Sequence, residues 1–163
     1  MPARVLIVYD SSHGLVEEMA RQVASGVRAA GGTAVMEKCG AASAEDLLRY
    51  DGILLGSPCY FAGPSASMKQ LLDATYPLRG KLAGKVGGAF AASEHIGGGS
   101  ELTLRSLLDF CLLHGMVVQG DPEGDPFGAV ALRYEGNEAM TDLSGECRRL
   151  GRRTVDLLLR LGG

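Results

Sequence analysis

The chain has 163 residues, 46% of them hydrophobic, enough for one compact domain (residues 1–163) with a substantial core. Its net charge of -3 and pI near 5.6 argue against a nucleic-acid binder, which carries a basic excess or patch. No apolar run approaches the roughly 20 residues of a membrane span, and Met1-Pro2-Ala3-Arg4 leads into a strand-like run rather than a signal sequence, so a cytoplasmic protein is expected.

In chain order, Arg4-Val5-Leu6-Ile7-Val8-Tyr9 is a continuous apolar run suited to a strand buried on both faces. Leu15, Met19, Val23 and Val27 then recur every four residues, predicting an amphipathic helix that stops at Gly31-Gly32. Residues 33–37 read as a second strand, 44–49 as a short helix and 51–56 as a third strand. Met68, Leu71, Leu72 and Thr75 line one side of a further helix, and residues 85–92 form a fourth strand of small residues. Leu104, Leu107, Leu108, Cys111 and Leu112 mark the next helix, which leads to a fifth strand at Met116-Val117-Val118. The Gly-, Pro- and Asp-rich residues 120–128 are a loop, after which residues 129–133 resume the strand. Met140, Leu143, Cys147, Leu150, Leu158 and Leu161 predict a long C-terminal helix. Cys39, Cys59, Cys111 and Cys147 make no C-x-x-C pair, so neither a zinc nor an iron–sulfur site is expected.

Strict alternation of strand and helix calls for a five-stranded parallel sheet, doubly wound in the order 2-1-3-4-5, with helices on both faces. In such a sheet the ligand lies beyond the carboxyl ends of the strands, so the loops after strands 1, 3 and 4 carry the chemistry.

The first loop is Asp10, Ser11, Ser12, His13, Gly14, Leu15 and Val16. A phosphate here would meet the free N–H groups and positive end of the following helix, with two serine hydroxyls as added donors. No Lys or Arg stands between Asp10 and Ala20, so the site reads as one of neutral donors; the simpler alternative is a helix capped by Ser12. The loop has neither a G-x-G-x-x-G nor a P-loop pattern. In the second loop, Gly56, Pro58, Gly63 and Pro64 stiffen the backbone around Cys59, Tyr60, Phe61 and Ala62. Two aromatic rings on a rigid turn suit stacking on a flat heterocycle; the simpler alternative puts one ring in the core and packs the other on a neighbouring chain. The third loop, Ser93, Glu94, His95, Ile96, Gly97, Gly98, Gly99, Ser100 and Glu101, places three glycines directly before a helix, a conformational cost that close backbone approach to a ligand explains.

Taken with His114-Gly115-Met116-Val117-Val118 and Pro126-Phe127-Gly128-Ala129, these three loops resemble the WrbA-type NAD(P)H:quinone oxidoreductases of the flavodoxin-like superfamily. The resemblance runs from the first strand to the C-terminal helix. It implies a flavodoxin-like three-layer sandwich, FMN as cofactor, NAD(P)H as electron donor and a quinone or a redox protein as acceptor, in a homodimer or tetramer. By position, Ser11, Ser12, His13, Gly14, Leu15 and Val16 would hold the FMN phosphate. Pro58, Cys59, Tyr60, Phe61, Ala62 and Gly63 would contact the ring and ribityl chain, and Ser93, Glu94, His95, Gly97, Gly98 and Gly99 would close over the pyrimidine side. Flavin N5 would carry the chemistry with no required side-chain acid or base; His95 and His114 are the candidates for supplying a proton. The chain departs from the family in having Tyr60 where a basic residue is common and Leu113 where a histidine is common, and it is shorter between strands 2 and 3 and after strand 5.

The rival reading is a one-electron flavodoxin carrier, which would be more acidic and would clasp both ring faces with aromatics; here the third loop has none. A receiver-type signalling module would need a carboxylate cluster, and Asp10 stands alone. A cysteine phosphatase at Cys59 would need an arginine six positions on, where the chain has Ser65. Arg148, Arg149, Arg152 and Arg153 read as a solvated helix face.

Overall fold

A computed structural model describes residues 1–133 and 143–162. The strands are β1 (Arg4–Tyr9), β2 (Thr33–Lys38), β3 (Gly52–Tyr60), β4 (Gly63–Pro64), β5 (Val86–Ser93), β6 (Val117–Val118) and β7 (Ala129–Leu132). The α-helices are α1 (Leu15–Ala29), α2 (Ala66–Ala74), α3 (Ser100–Leu113) and α4 (Leu143–Gly162). The sheet runs β2-β1-β3-β5-β6, and β7 also pairs with β5. β6 pairs with Val86 and Gly87 of β5, and β7 with Phe90 to Ser93 of the same strand, so the two are halves of one strand interrupted by the 119–128 loop. With β4 set aside as the two-residue antiparallel return arm of β3, the expected parallel order 2-1-3-4-5 is present.

Each face of the sheet has its own core. Leu6, Val8, Ile53, Leu55, Ala89 and Ala91 point towards α2 and α3, where Met68, Leu71, Leu104, Leu107 and Cys111 meet them. Val5, Ile7, Leu54, Phe90 and Ala92 point towards α1 and α4, against Met19, Val23, Val27, Cys147 and Leu150. This alternation along strands buried on both sides explains why β1 and β3 read as unbroken apolar runs. Burial also pushes the thiols of Cys39 and Cys111 up to about 12, and none of the four cysteines is in a disulfide.

Glycines set two close approaches. A Cβ on Gly26 of α1 would lie 2.1 Å from the Arg148 carbonyl oxygen, and one on Gly151 of α4 would lie 2.1 Å from that of Val23. The two helices therefore touch backbone to backbone. In β3, a Cβ on Gly56 would lie 2.1 Å from the Phe90 ring, so the glycine makes room for the largest fully buried side chain of the second core.

Three details differ from the sequence expectation. The segment Ala44–Arg49 is a 3-10 helix, begun by a reciprocal cap between Ser43 and Asp46. Of the arginines of α4, Arg148 and Arg152 are exposed as expected, but Arg149 and Arg153 both reach Asp121, at 3.2 and 3.1 Å, and only 13% of the Arg153 side chain is exposed. Their shared carboxylate ties the 119–128 loop to the helix. Met140, placed in the C-terminal helix by its periodicity, lies outside the described residues, and α4 is seen from Leu143.

Candidate functional site

The three loops converge. At the carboxyl edge of the sheet they line a cleft of about 250 Å³ at the switch point between β1 and β3. Ser11, Ser12, His13, Leu15 and Val16 come from the first loop, and Pro58, Cys59, Tyr60 and Phe61 from the second. Ser93, Glu94, His95 and Gly98 come from the third, with Ala92 forming part of the floor. Gly14, Ala62, Gly63, Gly97 and Gly99, expected to touch the ligand, are not among the residues that line the cleft. Arg133 completes the lining and was not singled out by the sequence.

In the first loop, Gly14 adopts φ +86° and turns the chain into α1. Ser11 rather than Ser12 serves the helix start: its Oγ accepts from the N–H groups of Gly14 and Glu17, each at 3.2 Å. The N–H groups of Leu15 and Val16 have no acceptor among the described residues, as the first turn of a helix dictates. Ser12 is thereby free of capping, and its Oγ accepts from the Tyr60 hydroxyl across the cleft at 3.1 Å.

The second loop is a two-residue hairpin turn between Tyr60 and Gly63. Both turn residues, Phe61 (φ +50°) and Ala62 (φ +62°), are left-handed, as a type I′ turn requires, yet neither is the usual Asn or Gly. Phe61 is fully exposed and Tyr60 roughly half so. Ser57 holds this turn to α2: its buried hydroxyl donates to the Pro58 carbonyl and accepts from the Ser65 N–H, while Ser65 caps α2. The third loop leans on the second. Gly99 at φ +94° packs so closely that an added Cβ would lie 2.8 Å from Ala62 Cα, and the Cys59 thiol donates to the Gly98 carbonyl at 3.2 Å. Ser100 secures its base by donating to Ser93 Oγ at 2.8 Å.

His114 is a correction. It follows the last residue of α3, whose first turn borders the cleft, so the 14-residue helix, roughly 20 Å long, separates it from the three loops. There it is buried against Phe110, and its Nε2 lies 2.9 Å from Thr75 Oγ1. Since the Thr75 hydroxyl donates to the Leu72 carbonyl, the ring nitrogen is the donor to Thr75. Burial, and secondarily the Arg79 charge, hold the His114 pKa below its ordinary value. Within one chain it does not line the cleft; His95, exposed in the third loop, does.

The electrostatics at the start of α1 are mixed. Glu17 and Glu18 occupy the first turn, where carboxylates suit the helix dipole but oppose a bound anion. Arg21 bonds both, at 2.7 and 3.2 Å, and Lys38 lies 3.4 Å from Glu17. Those cations serve the outer side of the turn. Facing the cleft, the Arg133 guanidinium donates to the His13 carbonyl at 3.5 Å.

Open N–H groups at one end, aromatic rings on a fixed turn at the other and glycine backbone along the side suit a flat ring system carrying a phosphate. A doubly wound sheet with such a cleft at its switch point is the architecture of the flavodoxin-like proteins. The family described as NADPH-dependent FMN reductase matches residues 29–123, more than half of the chain, and the chain belongs to that family. An NAD(P)H dehydrogenase (quinone) from Gluconacetobacter diazotrophicus is 31% identical over 195 residues, covering 97% of this chain and 98% of that one. One of the same description from Cupriavidus metallidurans is 34% identical over 165 residues, covering 80% and 83%. Among solved structures, a flavodoxin, WrbA-like protein from Agrobacterium tumefaciens superimposes with a TM-score of 0.78 at 26% identity, covering 97% of this chain and 98% of that one.

Proposed function

We propose that the chain, as one flavin-binding domain, holds FMN non-covalently in the three-loop cleft and passes two electrons from NAD(P)H to a quinone or a similar acceptor. The observation that carries this reading is the convergence of helix N–H groups, aromatic turn and glycine loop on one cleft. When bound, FMN supplies the hydride-accepting and electron-delivering chemistry. The protein's own part is binding, orientation and electrostatics. Leu15 and Val16 N–H groups and the Ser12 hydroxyl are the donors for the phosphate. Pro58, Tyr60 and Phe61 form the wall for the ring, and the 97–99 backbone closes the remaining side without any aromatic. That bare side leaves room for a second flat molecule, which favours a two-substrate enzyme over a one-electron carrier. His95 is the cleft residue placed to hold a proton. Among the described residues no helix is long and apolar enough to cross a membrane, and four cysteines without a disulfide suit the reducing cytoplasm. A homodimer or tetramer is the assembly that accompanies this reading, and light scattering tests it.

The deciding experiment is a titration of the apoprotein with FMN, FAD and riboflavin, followed by NADH- and NADPH-driven benzoquinone reduction. The expected result is saturable FMN binding, preferred over riboflavin, with turnover. Flavin that leaves both the absorbance spectrum and the melting temperature unmoved overturns the reading; bound flavin without turnover favours the one-electron carrier.

A further inference from the structure

The first loop contains no Lys or Arg, its one basic side chain being His13, yet a phosphate monoester brings nearly two negative charges at neutral pH. It would bring them beside Glu17 and Glu18, in the first turn of α1. Asp10 directly follows β1 at the start of the same loop, and Glu94 lines the cleft from the other side. Arg21 and Lys38 are engaged with Glu17 and Glu18 on the outer side of the helix and do not line the cleft. Neutral donors alone would leave that charge facing carboxylates.

Arg133 meets this need from 120 residues away in sequence. The residue directly follows β7, and its N–H donates to the Ser93 carbonyl at 2.9 Å, so the backbone is fixed at the carboxyl edge of the sheet. From there the side chain crosses to the phosphate-loop carbonyl of His13 and lines the cleft beside Ser12 and Leu15. It has no carboxylate partner among the described residues. Its single contact there, at 3.5 Å, is long and leaves most of the five guanidinium donors unused.

Resting on the FMN reading above, we infer that Arg133 is the cation that recognises the flavin's phosphate monoester and makes the cleft select FMN over unphosphorylated riboflavin. The interrupted fifth strand has a functional consequence in this light. Its second half, β7, restarts the chain at the level of Phe90–Ser93 on β5, which sets Arg133 at the height of the first loop.

The test compares wild type, Arg133→Gln and Arg133→Lys by fluorescence titration with FMN and with riboflavin, at low and high salt. Arg133 is exposed, and melting curves without flavin verify that the variants fold. Loss of a charge-assisted hydrogen bond predicts that Arg133→Gln weakens FMN binding by roughly 10- to 100-fold and leaves riboflavin binding unchanged. The salt dependence of FMN binding should shrink with it, and Arg133→Lys should recover part of the affinity, keeping the charge without the fork. Wild type that binds FMN while Arg133→Gln loses less than about 3-fold, or loses FMN and riboflavin equally, overturns the assignment and leaves the FMN reading standing. Wild type that binds no flavin removes both.

Discussion

The hairpin turn Phe61-Ala62 holds two non-glycine residues at φ +50° and +62°. In L-residues the left-handed region costs on the order of 1 kcal/mol or more, because Cβ crowds the following carbonyl oxygen. The double substitution Phe61→Asn with Ala62→Gly installs the pair that a type I′ turn accepts most readily. Phe61 is fully exposed, so removing its ring forfeits little burial. The Ala62 methyl group touches Gly99 and gives up a minor contact, and the added glycine costs some unfolded-state entropy. The balance is a gain of about 1–2 kcal/mol, which for a domain of this size is roughly 2–8 °C in melting temperature. Differential scanning calorimetry of the apoprotein measures it, and a flavin titration of the same sample should show weaker binding, since the ring wall is gone. Stability up and affinity down is the signature of strain kept at a binding site. A melting temperature that falls or stays still would refute the claim that this turn is strained.

Gly151→Ala should destabilise by about 3 kcal/mol or more, because its methyl group would meet Val23 backbone at 2.1 Å and force α1 from α4; urea unfolding measures the loss. Gly99→Ala should weaken FMN binding at least about tenfold with a smaller change in stability, since a Cβ there collides with Ala62 and parts the second and third loops, as flavin and thermal titrations in parallel would show. His114 has a folded pKa below its unfolded value, so the unfolded chain takes up the proton first. Its contribution is complete above about pH 6.5 and falls as the pH drops through that value towards the folded pKa. Melting temperatures between pH 7.5 and 5 should therefore decline in wild type and decline less in His114→Gln, whose amide N–H can still reach Thr75.

What the sequence made legible was whatever a local period encodes. Val5 to Tyr9 and Ile53 to Leu55 read as strands buried on both faces because both of their faces are covered, and the restart at Ala129 was visible as a second β-branched and small-residue run beyond a Gly- and Pro-rich loop. The three loop sequences located the cleft because chain order in a doubly wound sheet dictates which turns meet. Pairing across the chain was not legible. Ser11 and Ser12 carry the same hydroxyl, and only the φ of Gly14 decides that the first caps α1 while the second faces Tyr60. Arg149 and Arg153 sit in a charged run that looks solvated until Asp121, 28 and 32 residues earlier, is folded beneath them.

The site's charge follows the same logic and carries it into function. A loop without a single Lys or Arg reads as a neutral anion site when taken alone. The fold changes that reading by bringing Arg133 to the His13 carbonyl, from a strand that exists only because the fifth strand resumes after a ten-residue loop. Burial does not mark such a residue, since it is exposed, and no periodicity or motif does either. What marks it is a mismatch of charge: the ligand implied by the loops is anionic, the turn that would hold it is flanked by carboxylates, and the missing cation has to come from elsewhere in the chain.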